Sequence, residues 1–270
     1  MRHLSSGTCS ESARVTILSR VKRLLPAAAQ EFITRARNQQ AQKQYAHLSL
    51  AETFTRIYES GVWAEGGWDG KPCSGPGSNG LYLERYCQMV KGQIEKLEVS
   101  SMADLGCGDC NVGKVLADMV ASYTGVDISA HVVVRNTQAY ASDRIRFVRG
   151  DLTADLSAGD LPPADMAVVR QVLQHLSNAE VQLALQNIRR TYPLVLITEH
   201  VFVGPSLKPN VDIHHGPRTR VPYHSGVFID QPPFNVPSVW ISDIPYAKEE
   251  VLRTWLIDHR TGISGGGSTR

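Results

Sequence analysis

The sequence predicts an α/β fold: a doubly wound, mostly parallel sheet covered by helices, with a C-terminal antiparallel hairpin and an N-terminal helical extension. Three observations carry this. From residue 101 onward, short apolar runs alternate with helix-length segments, as parallel strands joined by crossovers do. Near the end, Val239–Ile241 and Val251–Ile257 are close enough to pair as a hairpin. Before residue 101, apolar residues recur at helical spacing instead.

Residues 13–25 set Val15, Ile17, Leu18, Val21, Leu24 and Leu25 among basic residues, a basic amphipathic helix that Pro26 interrupts. Such a helix packs on the body or meets a peripheral membrane surface or a protein partner. A second helix runs through residue 46. Ser49 with Glu52 is a capping box whose helix extends to about Glu59 and stops at Gly61. Residues 61–80 hold seven glycines, two prolines, Trp63 and Trp68, so neither helix nor strand persists there. A solvated linker has no use for two indoles, and the segment reads as a lid loop. Helical periodicity returns over 81–98 through Leu83, Tyr86, Val90, Ile94 and Leu97.

Strands are read at 101–105, 122–126, 145–149, 165–169 and 194–199. Ser177 with Glu180 opens another capped helix, to about Tyr192. Residues 201–237 carry seven prolines and are too long for a plain connection, which marks a substrate loop. The chain therefore divides into an extension with its lid at 1–100, a catalytic domain at 101–257 and a flexible Gly/Ser-rich tail at 258–270.

Composition narrows the class. The 270 residues are 42% hydrophobic and 20% charged, an ordinary globular balance. The net charge of +2 conceals a partition: residues 1–50 carry eight Lys or Arg against two Asp or Glu, and the rest 20 against 24. A slightly acidic body argues against a nucleic-acid groove. Apolar runs are far shorter than the roughly 18 residues of a membrane span, and basic residues break any secretory h-region. Five cysteines, an odd number, suit a reducing compartment, so a cytoplasmic protein is expected.

The chemistry centres on Asp104-Leu105-Gly106-Cys107-Gly108-Asp109-Cys110-Asn111-Val112-Gly113, which closes the first strand and leads into a helix. Gly106 and Gly108 permit a tight turn and close approach of a ligand to backbone N–H groups. Dinucleotide and S-adenosylmethionine sites share such a turn. Asp104 would repel a pyrophosphate and suits an ammonium group. Asn111 stands where the dinucleotide fingerprint needs Gly or Ala. Asp127, closing the second strand before Ile128, is placed to accept ribose hydroxyls. Asp151, before Leu152, puts a carboxylate at the third strand edge for an adenine amino group. Cys107-x-x-Cys110 has redox spacing, but position 107 needs only a small residue between two glycines.

Residues 101–199 resemble a class I S-adenosylmethionine-dependent methyltransferase, with its Rossmann-like sheet. The resemblance implies that Asp104, Gly106, Cys107 and Gly108 line the methionyl side. It places Asp127 and Ile128 at the ribose and adenine, and Asp151 and Leu152 at the adenine edge. Arg170 and Gln171, just after the fourth strand, would flank the sulfonium.

For a hydroxyl acceptor a base is needed. His175, beside the implied cofactor pocket, is the candidate catalytic residue. His200 after Glu199, and Asp212-Ile213-His214-His215, supply ligand types for a divalent metal that could chelate a diol, though the bland reading is a polar substrate loop. Ser74–Ser78, Pro209–Arg218 and Pro232–Pro237 are similar to a bacterial subgroup of these enzymes associated with capsule, lipopolysaccharide or glycan modification; the insert Thr219–Asp230 departs from it. That resemblance implies O-methylation of a sugar hydroxyl, with Trp68, Ser78, His200, Asp212, His214 and Arg218 toward the substrate. Two rivals stand beside it. A nucleic-acid or N-methyltransferase is suggested by Gln231-Pro232-Pro233-Phe234, although this falls after the fifth strand rather than the fourth. A non-catalytic cofactor-binding subunit, tethered through the basic head, is the other.

Overall fold

The computed structural model describes residues 43–64, 73–75, 80–155 and 161–260, with positions 29 and 36 standing alone before them. The basic helix at 13–25, Trp68 and Ser78 lie outside the described residues, as does the chain after Arg260.

Helix α1 (Leu50–Ser60) begins at the Ser49–Glu52 capping box and ends at Gly61, which takes φ 63°. The left-handed turn there satisfies the last carbonyls through the Gly61 N–H. Helix α2 (Gly80–Leu97) precedes strand β1 (Ser101–Leu105). The helix expected after the glycine turn is only one turn, α3 (Gly113–Leu116), continued by a 3-10 turn at Ala117–Met119. Its alignment of peptide dipoles is therefore short, and the turn itself, rather than a long helix, presents the N–H groups. Next come β2 (Ser122–Asp127), α4 (Ala130–Tyr140), β3 (Ile145–Arg149) and β4 (Met166–Arg170). Helix α5 (Asn178–Thr191) starts at the Ser177–Glu180 capping box. Strands β5 (Leu194–Phe202), β6 (Val239–Ala247) and β7 (Glu250–Asp258) complete the order.

The seven strands lie in the order β3-β2-β1-β4-β5-β7-β6, the first five parallel. Strand β7 runs antiparallel between β5 and β6. The hairpin is longer than the apolar runs suggest, because Ser242, Asp243 and Pro245 interrupt them while the backbone keeps pairing. Pro245 is tolerated because β6 is an edge strand with irregular register there. Strand β5 likewise runs to Phe202, matched residue for residue by β7. Order also reaches past residue 258, since Asp258 pairs with Leu194 and the Arg260 guanidinium donates to Leu97 O.

Both sheet faces are covered, so the central strands are buried almost throughout, as in Met166–Val169 and Leu194–Ile197. One face packs Ile57 of α1 and Val181, Leu185 and Ile188 of α5 against Ile197 and Trp255. The other packs Tyr86, Val90 and Ile94 of α2 against Met102 and Leu196. Helices α1 and α2, read as an extension, thus belong to the two cores. The proline-rich loop after β5 also buries Val227, Phe228, Ile229, Phe234 and Val236. Asn210 binds it together, its Oδ1 accepting from Phe228 N at 2.8 Å and its Nδ2 donating to Phe228 O and Pro232 O at 2.9 and 2.8 Å.

Candidate functional site

The direction of winding reverses between β1 and β4, which opens a crevice beyond their carboxyl ends, where open α/β sheets take ligands. A cleft lies there. Strand register levels its floor: Leu105 pairs with both Val126 and Val169, and Asp127 with Arg149. Asp104, Gly106, Cys107, Asp127, Ile128, Asp151, Leu152, Arg170, Gln171 and His175 all line the cleft.

Gly106 and Gly108 adopt φ 80° and 53°, conformations that disfavour a side chain. A Cβ on Gly106 would strike Val172, and one on Gly108 would strike Ser74 and Tyr58. The Gly106 and Cys107 N–H groups donate to Val126 O at 2.8 and 3.0 Å, tying the turn to β2. Asn136 of α4, wholly buried, donates to Gly108 O at 2.7 Å. Cys107 and Cys110 are free thiols, and burial pushes both upward, Cys110 to about 12. Protonated, buried thiols are poor nucleophiles, consistent with space-filling roles.

The acidic residues are held differently. Asp104 accepts the Tyr123 hydroxyl at 2.6 Å. Asp127 accepts Gly108 N at 3.0 Å through Oδ2 and Ser129 N at 2.9 Å through Oδ1. Burial pushes both carboxyls up to about 6, partly offset by these hydrogen bonds. Desolvated negative charge of this kind favours a cationic or donor-rich ligand. Asp151 is less buried and uses Oδ1 to accept from Thr153 N and Oγ1 at 2.8 and 2.7 Å. Arg170 brings positive charge to the same floor, its guanidinium 4.8 Å above the Tyr86 ring.

A roof comes from α1 and from Trp63 and Ser74 beyond it. Leu50, Phe54, Tyr58, Trp63 and Ser74 line the cleft from above. Ser74 and Asp109 bond reciprocally, Ser74 N to Asp109 Oδ2 and Asp109 N to Ser74 Oγ, each at 2.9 Å. The Trp63 indole N–H donates to Pro217 O at 3.0 Å, and its ring centroid lies 5.0 Å from that of His175. His175 Nδ1 lies 3.2 Å from Arg218 O, which fixes it as the protonated nitrogen. Nε2 is 3.2 Å from Gln174 Nε2 and accepts from it. Burial pushes the imidazole down to about 4, so it is neutral at pH 7.

Other residues read as substrate or metal ligands turn elsewhere. His200 pairs with Glu250 at 2.9 Å and packs on Tyr246. Asp212 accepts Asn178 N at 2.7 Å at the start of α5. His214 bonds to His215 O, and His215 to Glu180 at 2.6 Å. Arg218 is exposed, and its carbonyl accepts from the His175 ring. The Glu199–His200 and Asp212–His215 ligand sets therefore do not converge, because each side chain is spent on a local partner. Among the described residues no group of three or more His, Cys, Asp or Glu is placed to hold a metal. Phe234 of the Gln231–Phe234 segment is in the core, away from the cleft.

Sequence reading gave no role to Tyr123, Asp109 or Arg220, and read Glu199 as a metal ligand where it instead accepts the N–H groups of Val172, Leu173 and Gln174. Glu199 carries a signal, a carboxylate inside a strand that is apolar from Leu194 to Ile197 and again at Val201 and Phe202, while Arg220 sits in an aperiodic loop and carries none.

Residues 103–192 match the family model described as a methyltransferase domain. No curated protein matches the chain in sequence. Among solved structures it is similar to the N-methyltransferase NodS from Bradyrhizobium japonicum WM9 in complex with S-adenosyl-L-homocysteine, at 15% identity and a TM-score of 0.46, over 66% of this chain and 88% of that one. The methyltransferase domain of bacterial CtHen1 aligns at 21% identity and a TM-score of 0.39, over 45% and 67% of the two chains. The amino pentose methyltransferase CalS10 from Micromonospora echinaspora aligns at 14% identity and a TM-score of 0.39, over 44% and 52%. The matched segment contains the glycine turn and the acidic ends of β1, β2 and β3, and residues 103–192 carry a methyltransferase domain.

Proposed function

We propose that this protein methylates a hydroxyl of a sugar or another polar small molecule. The observation carrying the reading is the neutral imidazole of His175 beside the indole of Trp63, both on the cleft wall. An indole face suits the apolar face of a sugar ring, and a neutral imidazole can take the proton a hydroxyl releases. S-adenosylmethionine supplies the electrophilic methyl on its sulfonium. The glycine turn suits it, since side chains at Gly106 and Gly108 would displace Val172, Ser74 and Tyr58, which line the cleft.

In this reading Asp104 holds the cofactor ammonium at the Gly106–Gly108 turn, and Cys107 keeps that wall small. Asp127 accepts the ribose hydroxyls. Ile128 and Leu152 cover the adenine, and the Oδ2 of Asp151, not used by its own turn, accepts the adenine amino group. Arg170 and Gln171 flank the sulfonium. The floor orients the donor, and the roof excludes water while the acceptor is aligned.

A second reading, a neutral amine acceptor, is favoured by the Gln174 amide, which occupies the His175 Nε2 lone pair. An amine attacks with its own lone pair and needs no base in the transfer step. Conversion of S-adenosylmethionine to S-adenosylhomocysteine across panels of sugars, amino sugars and simple amines separates the readings. Turnover on hydroxyl acceptors that is lost in His175→Ala, with cofactor binding kept, supports the first. Turnover on amines alone, unaffected by that change, supports the second. Cofactor binding without turnover on any acceptor leaves a non-catalytic binding module.

A further inference from the structure

Tyr123 lies on β2, points under the glycine turn and is 1% exposed. Its hydroxyl donates to Asp104 Oδ2 at 2.6 Å, a short bond of the charge-assisted kind. The ring is fixed on both sides. It meets Phe147 edge-on at 6.2 Å, and the hydroxyl lies so close to Gly113 that a Cβ there would collide with it. The glycine at the start of α3 therefore keeps open the space in which Tyr123 reaches Asp104. A buried carboxylate that is to meet an ammonium group must be aimed at it and kept ionised.

We propose that Tyr123 is a positioning residue for cofactor binding, holding the Asp104 carboxylate ionised and aimed at the cofactor ammonium. This rests on the reading that Asp104 receives that ammonium. One Asp104 oxygen is anchored by the phenol, and the carboxylate cannot swing into the sheet. Tyr123 acts through Asp104 and lies outside the cleft lining.

The charges facing Asp104 come from each element packed on it. Arg170 of β4 favours the ionised form, as does the Tyr123 bond, while Asp127 of β2 opposes it. Tyr86 and Cys87 of α2 and Cys107 and Cys110 of the turn feel the Asp104 charge and are neutral thiols or phenols near pH 7. Burial dominates and raises the carboxyl to about 6, so loss of the Tyr123 bond raises it further. The acid limb of cofactor affinity then moves to higher pH.

The test is calorimetric titration of the full chain with S-adenosylhomocysteine from pH 5 to 8, for wild type, Tyr123→Phe, Asp104→Asn and the double variant, with folding checked by circular dichroism. Tyr123→Phe is expected to weaken binding about tenfold at pH 7 and to shift the acid limb upward. In the Asp104→Asn background it should add nothing. Gly113→Ala, which crowds the hydroxyl without removing it, should weaken binding in the same direction and covers the case in which Tyr123→Phe fails to fold. Wild-type affinity and an unmoved acid limb in Tyr123→Phe, or an equal further loss in the Asp104→Asn background, would overturn the proposal and leave Tyr123 a core residue. Wild-type binding that survives Asp104→Asn unchanged would instead remove the underlying assignment of Asp104.

Discussion

Glu199 and Arg220 grip the same turn from opposite sides. The Glu199 carboxylate accepts the N–H groups of Val172, Leu173 and Gln174 at 3.2, 2.9 and 2.9 Å. The Arg220 guanidinium donates to Leu173 O, Gln174 O and Leu176 O at 3.2, 3.1 and 2.6 Å. Both side chains are 0% exposed, and the turn they hold carries Val172, Gln174 and His175 into the cleft. Backbone groups that neither helix nor sheet satisfies are thus paired by two buried charges.

Removing one charge should be severe. Glu199→Ala leaves three N–H groups without acceptors and takes from the buried Arg220 guanidinium the largest of the carboxylate charges acting on it, Asp212 and Glu180 remaining, an expected loss of about 3–5 kcal/mol. Glu199→Gln keeps one acceptor oxygen and should cost about 1–3 kcal/mol. Urea unfolding of both variants checks the order; equal and small losses would mean that water satisfies the turn.

The glycine turn gives a separate expectation. Gly108→Ala puts a side chain at φ 53° and into Ser74 and Tyr58. The strain costs about 1–2 kcal/mol of stability, and cofactor affinity should fall at least about tenfold as the cradle is displaced. Calorimetry with S-adenosylhomocysteine, beside a thermal melt, distinguishes a blocked cradle from an unfolded chain.

Ser74→Ala removes the half of the reciprocal bond in which Asp109 N donates to Ser74 Oγ, while the Ser74 backbone N–H still donates to Asp109 Oδ2. The carboxylate keeps Asn111 N at 3.1 Å, so the turn persists while the roof loosens. Dissociation of S-adenosylhomocysteine should quicken several-fold with little change in melting temperature. Stopped-flow tryptophan fluorescence measures this, and an unchanged rate would show that the roof does not gate exchange.

His175 sets a pH dependence. Its unfolded value is near 6.5, and burial holds the folded imidazole near 4. The unfolded chain therefore gains a proton between those values that the folded protein refuses. The stabilisation is present above about pH 6.5 and is lost as pH falls towards 4, by about 1–2 kcal/mol at pH 5. In His175→Gln the stability should fall less between pH 7 and pH 5 than in wild type. Denaturant curves at the two pH values test this; parallel losses would mean that His175 is already protonated in the fold.

The parallel core was legible because its cause is local. Strands buried on both faces must be apolar runs, and Ser49–Glu52 and Ser177–Glu180 announce their helices through hydrogen bonds spanning three residues. The glycine turn on the cleft floor was legible for the same reason, since a tight turn demands Gly106 and Gly108 where they stand. What escaped depends on long-range closure. Glu199 and Arg220 meet the turn from 25 to 47 residues away, and nothing near Arg220 signals burial. His200, Asp212 and His214 resembled ligands because sequence shows donor atoms without showing that Glu250, Asn178 and His215 already engage them. The hairpin was foreshortened because edge strands admit Pro245 and polar residues that an interior strand refuses.

The place of β7 has a consequence for biosynthesis. It is made last among the strands yet lies between β5 and β6, so β5 has an open backbone edge until residues 250–258 emerge from the ribosome. Until then β6 has no neighbour to pair with. A nascent chain stalled or cleaved before Glu250 would expose nine residues of β5, from Leu194 to Phe202, to pairing with other chains. Quality control of this protein should therefore be most demanding until residues 250–258 are made, when insertion of one strand removes that sticky edge.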